Sequence, residues 1–311
     1  MAGVSEMGVT GFRTSSIKDG QKFKNFAGPP NADTRVQATG GSEVNTVGGY
    51  KYHLFDASSS LSVTKGGTVE ILVVGAGGGG GKDRGGGGAG AKEPSSGYTT
   101  QTLSAGSYTV TIAAGGAGST NTSNKGGTPS DTSFAGTSTI TAKGGGGGGS
   151  NANPEGANGG SGGGGAGAGG TASGSNTNNG GNGSGSGPNY GGGGGGGATA
   201  VGNNGTSTTG GNGGAGIALA TAGDANLTAA NFPGTLTGMT HFCAGGAGGS
   251  IGGTAGTGGS SSQGGNGTND STTAGNAVSF GSGGGGGGRN LSPGGDGGNG
   301  FKGLVIVRYA V

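Results

Sequence analysis

The sequence VEILVVGAGGGGG at residues 69–81 joins an apolar run directly to a run of glycines. Its apolar part, rich in Val and Ile, predicts a β-strand that is buried on both faces. The same pattern, a short strand-like lead followed by glycines, occurs at four more places: STITAKGGGGGG at 138–149, PNYGGGGGGG at 188–197, MTHFCAGGAGG at 239–249 and AVSFGSGGGGGG at 277–288. The repeat predicts several glycine rods, each preceded by its own lead.

Glycine supplies 95 of the 311 residues, whereas apolar residues make up 27% and charged residues 9%. Ordering this much glycine costs on the order of 100 kcal/mol of backbone conformational entropy. Side-chain burial is too small to offset that cost. Backbone hydrogen bonds, each worth about 0.5–1.5 kcal/mol net, are the remaining source of stability. The backbone itself is therefore expected to form the core.

The conformation that suits such a core is the polyglycine-II helix. Collagen is excluded because the chain has eight prolines and no strict Gly-x-y period. A rod of this type has three residues per turn and directs its N–H and C=O groups outward, so neighbouring rods can bond to each other. We expect pure glycine runs at the centre of a bundle and variable polar loops at the rod ends, namely 151–158, 171–179, 198–209, 221–238 and 260–275.

Apolar runs outside the glycine-rich part are typical of short strands: 52–55, 61–63 and 303–309. Residues 98–103 and 108–112 alternate like a hairpin around the turn at 104–107. Since distant apolar strands have little else to bury against, we expect the first and last strands to pair.

The predicted fold class is mostly β and irregular, with a small antiparallel β-sandwich framing a bundle of polyglycine-II helices and essentially no α-helix. The glycine-rich domain is placed at 48–311. Within it, the strand frame covers 48–143 and 301–311, and the bundle covers about 75–300.

Residues 1–47 differ in composition and are interpreted as an N-terminal attachment arm. Six of the 15 Lys and Arg residues lie in the first 51 positions. An arm that is merely packed or loose is the alternative. The candidate attachment residues are Phe12, Arg13, Lys22, Phe23, Lys24 and Phe26.

The sequence lacks the residues that nucleic-acid binding, metal binding and catalysis require. Between 144 and 288 the charged side chains are Glu155, Asp224 and Asp270, which leaves no basic stripe for nucleic acid. Two histidines and one cysteine, Cys243, make no credible transition-metal set. Asp296 stands alone in PGGDGGNG, where calcium-binding repeats need tandem copies. We expect no enzyme, no cofactor and no metal.

The N-terminal sequence MAGVSEMGVTGFRTSSIKDG has no apolar core of a signal peptide, and no stretch approaches 18 apolar residues. We therefore expect neither secretion through a signal peptide nor membrane insertion.

Three segments carry a family resemblance: YKYHLFDASSSLSVTKGGTVEILVVGAGGGGG at 50–81, TTQTLSAGSYTVTIAAGGAG at 99–118 and GGDGGNGFKGLVIVRYAV at 294–311. Together they resemble the glycine-rich domain of bacteriophage tail-fibre and other virion proteins. The resemblance covers about 48–311 and is specific at its two ends. The glycine-rich middle is similar to the tip adhesins of T-even-like phages, in which polyglycine-II bundles display receptor-reading loops.

The resemblance implies a virion protein, assembled in the host cytoplasm, that acts as a fibre or fibre tip and displays host-receptor-binding loops. Its partners would be other virion proteins, through residues 1–47, and a host surface glycan or outer-membrane protein; a homo-oligomer is left open. The alternative is a structural capsid, neck or tail decoration protein docked through the same arm. Ice binding is a weaker option because the Thr positions follow no fixed period.

Two aromatic residues in polar loops are candidates for receptor contact. Each is taken with its neighbour, as Asn189 with Tyr190 and Asn231 with Phe232. An aromatic in a polar, Gly- or Pro-flanked setting can stack on a sugar or fill a pocket of a partner. For each pair the alternative is an aromatic ring that plugs one end of the bundle.

Overall fold

The computed structural model of the chain describes residues 35–184, 190–222, 224–289 and 294–311. Arg35 begins the compact unit that runs to Val311. The six candidate attachment residues and Asn189 lie outside the described residues. Helix in the described part is limited to two four-residue segments, α1 (Leu219–Ala222) and α2 (Gly259–Ser262), so the prediction of a mostly β chain with almost no helix is confirmed.

The strands are short and all their pairings are antiparallel. In chain order they are β1 (Gln37–Thr39), β2 (Glu43–Val47), β3 (Tyr50–Phe55), β4 (Ser59–Lys65), β5 (Gly67–Val74), β6 (Lys92–Glu93), β7 (Thr99–Leu103), β8 (Gly106–Thr111), β9 (Thr132–Ala135), β10 (Thr139–Ala142), β11 (Tyr190–Gly191), β12 (Ile217–Ala218), β13 (His241–Phe242), β14 (Ser250–Ile251) and β15 (Leu304–Ala310). A five-stranded sheet has the order β1-β4-β8-β9-β10. A six-stranded sheet has the order β2-β3-β15-β5-β6, with β7 also paired to β5. Because β1 and β2 belong to these sheets, the strand frame begins at Gln37 rather than at 48.

The last strand, β15, lies between β3 and β5, as expected for the two ends of the domain. Ile306 pairs with Leu54 on one side and with Leu72 on the other. One face of this sheet packs on the five-stranded sheet, where Ile71 joins the shared apolar core. The opposite face, which includes Leu72, belongs to a second apolar cluster. The strand at 67–74 is therefore buried on both faces, which confirms the prediction from its apolar run.

The hairpin predicted from residues 98–103 and 108–112 is wrong. β7 pairs with β5 in the six-stranded sheet, whereas β8 pairs with β4 in the five-stranded sheet. Leu103 and Val110 nevertheless bury into the same core between the sheets. The turn between them carries the chain from one sheet to the other. Alternation of apolar and polar residues identifies the buried face of a strand and leaves its pairing partner open.

The second apolar cluster lies on the outer face of the six-stranded sheet and is called the base of the bundle. Its large members are Tyr52, Leu54, Leu72, Val74, Leu219, Leu227, Phe232, Leu236, Phe242, Phe280, Leu304 and Ile306. Arg308 of β15 fixes a bundle segment to this sheet, because its guanidinium group bonds both Glu70 of β5 and Asp224. The same group lies 4.0 Å from the ring centroid of Tyr98.

The glycine rods are joined by backbone hydrogen bonds that alternate with a period of three residues. In the rod 75–81, consecutive amides donate to different neighbouring segments at 2.7–2.9 Å. Every third amide donates to the same neighbouring segment. The donor-to-acceptor pairs are Gly78 to Gly88, Gly79 to Gly127, Gly80 to Gly298 and Gly81 to Gly85. Each rod therefore contacts several neighbours through its backbone. The name polyglycine-II for this conformation stays a prediction.

The packing between rods leaves no room for side chains. A Cβ atom on Gly80 would lie 1.8 Å from the carbonyl oxygen of Gly285, and one on Gly147 would lie 1.8 Å from that of Gly126. Glycine is thus required at these positions by the close approach of backbones. Among the described residues, no helix has the length and apolar character needed to cross a membrane.

Candidate functional site

The far end of the bundle is built from the turns at which rods reverse. The rod 75–81 leaves β5, turns at residues 82–84 and returns through 85–91 to β6, which pairs with β5. In the same way 283–288 leaves the base, and 294–300 leads back to β15. We call residues 82–84, 150–151, 190, 250–251 and 289 the tip.

Hydrogen bonds between these turns hold the tip together. The amide of Gly249 donates to the carbonyl of Arg84 at 2.6 Å, and the amide of Arg289 donates to the carbonyl of Ser250 at 3.0 Å. The Arg84 Nη2 donates to Asn151 Oδ1 at 3.0 Å. Four separate chain segments are therefore fixed against one another at one place.

Three side chains form a row across adjacent segments of the tip. Tyr190 of β11 pairs directly with Ile251 of β14, and Ile251 also bridges Arg289 in a parallel contact. Directly paired residues direct their side chains to the same face. All three residues are partly exposed, and the Arg289 side chain is 37% exposed. An aromatic, an aliphatic and a cationic group thus stand side by side, and we call them the tip row.

Arg84 lies next to this row. Its guanidinium carbon is 4.7 Å from the centroid of the Tyr190 ring, a cation–π geometry. Its Nε is buried and has no hydrogen-bond partner in the part of the chain that the structure describes. Burial lowers the pKa of Arg84, and the neighbouring positive charge of Arg289 lowers that pKa further. The guanidinium groups of Arg84 and Arg289 therefore lie close to each other at the tip.

Asp83 is buried beneath the surface of the tip, next to Arg289. Its side chain is 1% exposed and its backbone has a positive φ of 65°. Among the described residues, neither carboxylate oxygen has a hydrogen-bond partner, and Asp83 forms an ion pair with Arg289 Nη1 at 3.8 Å. Burial raises the pKa of Asp83, whereas the nearby Arg289, Lys82 and Arg84 oppose that rise.

Unpartnered polar atoms concentrate at the tip. Within the described ranges, six buried side-chain N or O atoms lack a hydrogen-bond partner, and four of them belong to Asp83, Arg84 and Ser250. Buried polar groups in proteins are normally satisfied, so such a concentration indicates a place that water or a ligand completes. Lys82 differs from its neighbours because it forms an ion pair with Asp296.

A polar groove of about 400 Å³ lies beside the tip row, between residues 254–257 and 266–272. Thr and Asn side chains line most of it, together with Asp270. Its position next to Arg289 follows from Thr268, whose Oγ1 accepts a hydrogen bond from the Gly288 amide at 2.8 Å. One wall of the groove therefore contacts the segment that carries Arg289.

The family model of the glycine-rich domain matches residues 55–310, which is most of the chain. This chain belongs to the glycine-rich domain family. No curated protein matches it. The matched range of the glycine-rich domain begins at the last residue of β3 and ends at the last residue of β15, so it contains both the sandwich strands and the rods.

The candidate contact residues of this glycine-rich domain occupy two ends of the bundle. Tyr190 lies at the tip, as described above. Phe232 is fully buried at the base, where its ring packs edge-on against Tyr52 with centroids 5.4 Å apart. The carbonyl of Asn231 accepts a hydrogen bond from Asn45 of β2 at 2.7 Å. The ring of Phe232 thus plugs the base, which was the alternative for this residue, and is not available to a receptor in this conformation.

Sequence reasoning missed Arg84, Ile251 and Arg289 as members of the tip. Their positions did carry a signal, because residues 82–84 interrupt two glycine runs and Arg289 directly follows a third. A charged residue cannot enter the packed rods, so charges next to runs mark rod ends.

The described part of the glycine-rich domain holds no group of three or more His, Cys, Asp or Glu side chains that could bind a metal ion. Cys243 is fully buried at the base.

Proposed function

We propose that this glycine-rich domain protein is a non-enzymatic bacteriophage virion protein, a fibre or fibre tip whose rigid rods display host-receptor-binding loops. One observation carries the proposal: the two ends of the bundle differ. The base is joined to the sandwich by a large apolar cluster. The tip instead ends in partly exposed aromatic, aliphatic and cationic side chains. One end is thus built for support, and the other is suited to contact.

The rods are proposed to be polyglycine-II helices. The period of three in their hydrogen bonds supports this, because such a helix has three residues per turn. A core made of backbone also leaves the sequences of the turns free to vary, since they contribute little to the packing. A receptor-binding surface benefits from this separation of scaffold and loops.

The proposed partners at the tip are a host surface glycan or an outer-membrane protein. Other virion proteins are the proposed partners of residues 1–47, and assembly is placed in the host cytoplasm. The resemblance of the segments at 50–81, 99–118 and 294–311 to phage virion proteins supports this assignment.

Cell binding tests the proposal. Fluorescently labelled protein is incubated with a panel of bacterial strains, and unlabelled protein is added as competitor. We expect saturable, competable binding to at least one strain, together with protection of that strain from the phage that carries the protein. Absence of saturable binding to cells that this phage infects would refute the receptor-binding role.

A structural decoration protein is the second candidate, favoured by the concentration of basic residues in the first 51 positions. Removing residues 1–34 leaves the compact unit from Arg35 to Val311 in place. Under this alternative the truncated protein fails to enter particles and still folds. Undiminished incorporation would exclude docking through that part of the arm.

A further inference from the structure

We propose that the tip row, Tyr190, Ile251 and Arg289, together with Arg84, binds an anionic sugar unit that carries a carboxylate or a phosphate. The inference rests on the proposed receptor-binding function and names the chemistry that the tip recognises. It is carried by three features of the structure: incompletely neutralised guanidinium groups, an apolar platform beside them, and a polar groove, one wall of which contacts the segment that carries Arg289.

The positive charge of the tip is incompletely neutralised. Arg84 has no carboxylate partner within hydrogen-bond distance among the described residues; its guanidinium group contacts Asn151 Oδ1 and the carbonyl oxygen of Ala166. Arg289 reaches Asp83 at 3.8 Å, beyond normal hydrogen-bond length. A guanidinium group can donate two parallel hydrogen bonds to one carboxylate or phosphate, and neither arginine makes such a pair with a described residue.

Asp83 and Asp296 leave this role open, whereas Asp270 lies in the adjoining groove and favours a neutral sugar unit there. Asp296 is engaged by Lys82. Asp83 is enclosed, with its side chain only 1% exposed, whereas the Arg289 side chain is 37% exposed. A ligand arriving from solvent therefore meets the guanidinium group of Arg289 before it meets the carboxylate of Asp83. An anion at this place also relieves the repulsion between Arg84 and Arg289.

The apolar members of the row fit the other part of a sugar. One face of a pyranose ring presents C–H groups, which pack on an aromatic ring, while its hydroxyl groups point outward. Tyr190 supplies the ring, and the contact from Arg84 holds that ring in place. Ile251 extends the apolar platform between the ring and Arg289. Rigid aromatic groups are efficient anchors because little side-chain entropy is lost on binding.

The adjoining groove fits a continued chain of sugars. Its Thr and Asn side chains offer both donors and acceptors for hydroxyl groups. The groove is shallow and largely open to solvent, so a sugar unit can enter it from the side. An oligosaccharide bound by its anionic unit at the tip row can therefore place a neighbouring unit in the groove.

Titration calorimetry of the full chain at low ionic strength tests the inference. The probes are trigalacturonic acid for the carboxylate arm, glucose 1-phosphate for the phosphate arm and maltotriose as the neutral control. We expect at least one anionic probe to bind at least about tenfold more tightly than maltotriose. Arg289→Gln and Tyr190→Ala are expected to weaken that binding by about tenfold or more, the effect of losing a charge-assisted contact or a buried anchor.

A matched variant controls for charge. Lys65→Gln removes one positive charge from β4 of the sandwich, outside the tip row, and is expected to bind like the parent protein. The inference is overturned if neither anionic probe binds, if maltotriose binds equally well, or if Arg289→Gln and Tyr190→Ala have no effect. Unfolding temperatures of all variants separate loss of binding from loss of fold.

The outcomes also separate this inference from the proposed function. Protein that binds host cells and ignores both anionic probes remains a receptor-binding protein with a different ligand, and the inference fails. Protein that binds an anionic probe through Arg289 and does not bind cells supports the site and refutes the receptor-binding role.

Discussion

Replacing Gly80 by Ala is expected to destabilise the protein severely, although it adds one methyl group. The Cβ would lie 1.8 Å from the carbonyl oxygen of Gly285, whereas real Cβ contacts essentially never fall below 3.0 Å. The two rods must therefore separate by at least about 1.2 Å, the difference between these distances. The neighbouring atom is backbone, so no flexible side chain can yield.

That separation breaks the bonds that join these two rods on either side of Gly80. The amide of Gly284 donates to the carbonyl of Gly78, and the amide of Gly287 donates to the carbonyl of Gly81, both at 3.0 Å. Each buried group left without a partner costs about 1–3 kcal/mol. Losing both bonds lowers the free energy of unfolding by about 2–6 kcal/mol, and overpacking adds to this loss. A typical domain has only about 5–15 kcal/mol of stability.

Urea unfolding followed by circular dichroism measures the loss. Gly106→Ala is the matched control, because its Cβ would meet only the ring of Tyr108, at 4.0 Å. That control is expected to leave stability unchanged or to raise it by up to about 1 kcal/mol. If Gly80→Ala stays within about 1 kcal/mol of the parent protein, backbone packing between rods does not have the energetic importance assigned to it.

Three further predictions concern the base and the sandwich. Arg308→Met leaves the buried carboxylate of Asp224 unpaired and should cost about 3 kcal/mol in urea unfolding. Burial lowers the pKa of His53 in the folded protein. The imidazole therefore binds a proton near pH 6.5 in the unfolded chain, and only at a lower pH in the folded chain. The unfolding temperature should therefore fall as the pH drops below about 6.5, and His53→Gln should flatten that part of the curve. Burial raises the pKa of the Cys243 thiol to about 12, so an aromatic disulfide reagent should label it only after denaturant is added.

Each of these predictions has its own control. Lys302→Met breaks an ion pair with Asp56 in which both side chains are partly exposed, and it should cost at most about 1 kcal/mol. Equal losses for this variant and Arg308→Met would contradict the assigned importance of burial. A His53→Gln curve parallel to that of the parent protein would contradict the histidine account. Labelling of Cys243 in native buffer at the rate of a free thiol would show that the base opens readily.

The sandwich could be predicted where apolar runs are long. The run at 69–74 indicated a strand buried on both faces, the run at 303–309 indicated a further apolar strand, and the two ends of the domain were expected to pair. The partner strands of β7 and β8 could not be predicted, because Leu103 and Val110 are buried in the same core but belong to opposite sheets. Alternation is the same for a hairpin and for a crossing between sheets.

The tip could be predicted only in part. Charged residues beside glycine runs mark rod ends, but the runs are nearly identical in sequence. Nothing in them shows that the end of one rod brings Arg84 over the ring of Tyr190. Phe232 was a candidate for receptor contact from its sequence setting, but its ring is buried. Its Asn and Pro neighbours are typical of an exposed turn, whereas the segment folds onto Tyr52 and buries the ring.

Amide hydrogen exchange tests the central claim, that the backbone of the glycine rods forms the core. The amides of Gly78, Gly79 and Gly80 donate hydrogen bonds to three different neighbouring segments at 2.8–2.9 Å. They are therefore expected to exchange as slowly as the amides of β5 and β15, through global unfolding alone. Exchange of these glycine amides at the rate of an unstructured peptide, while the strands stay protected, would contradict the account.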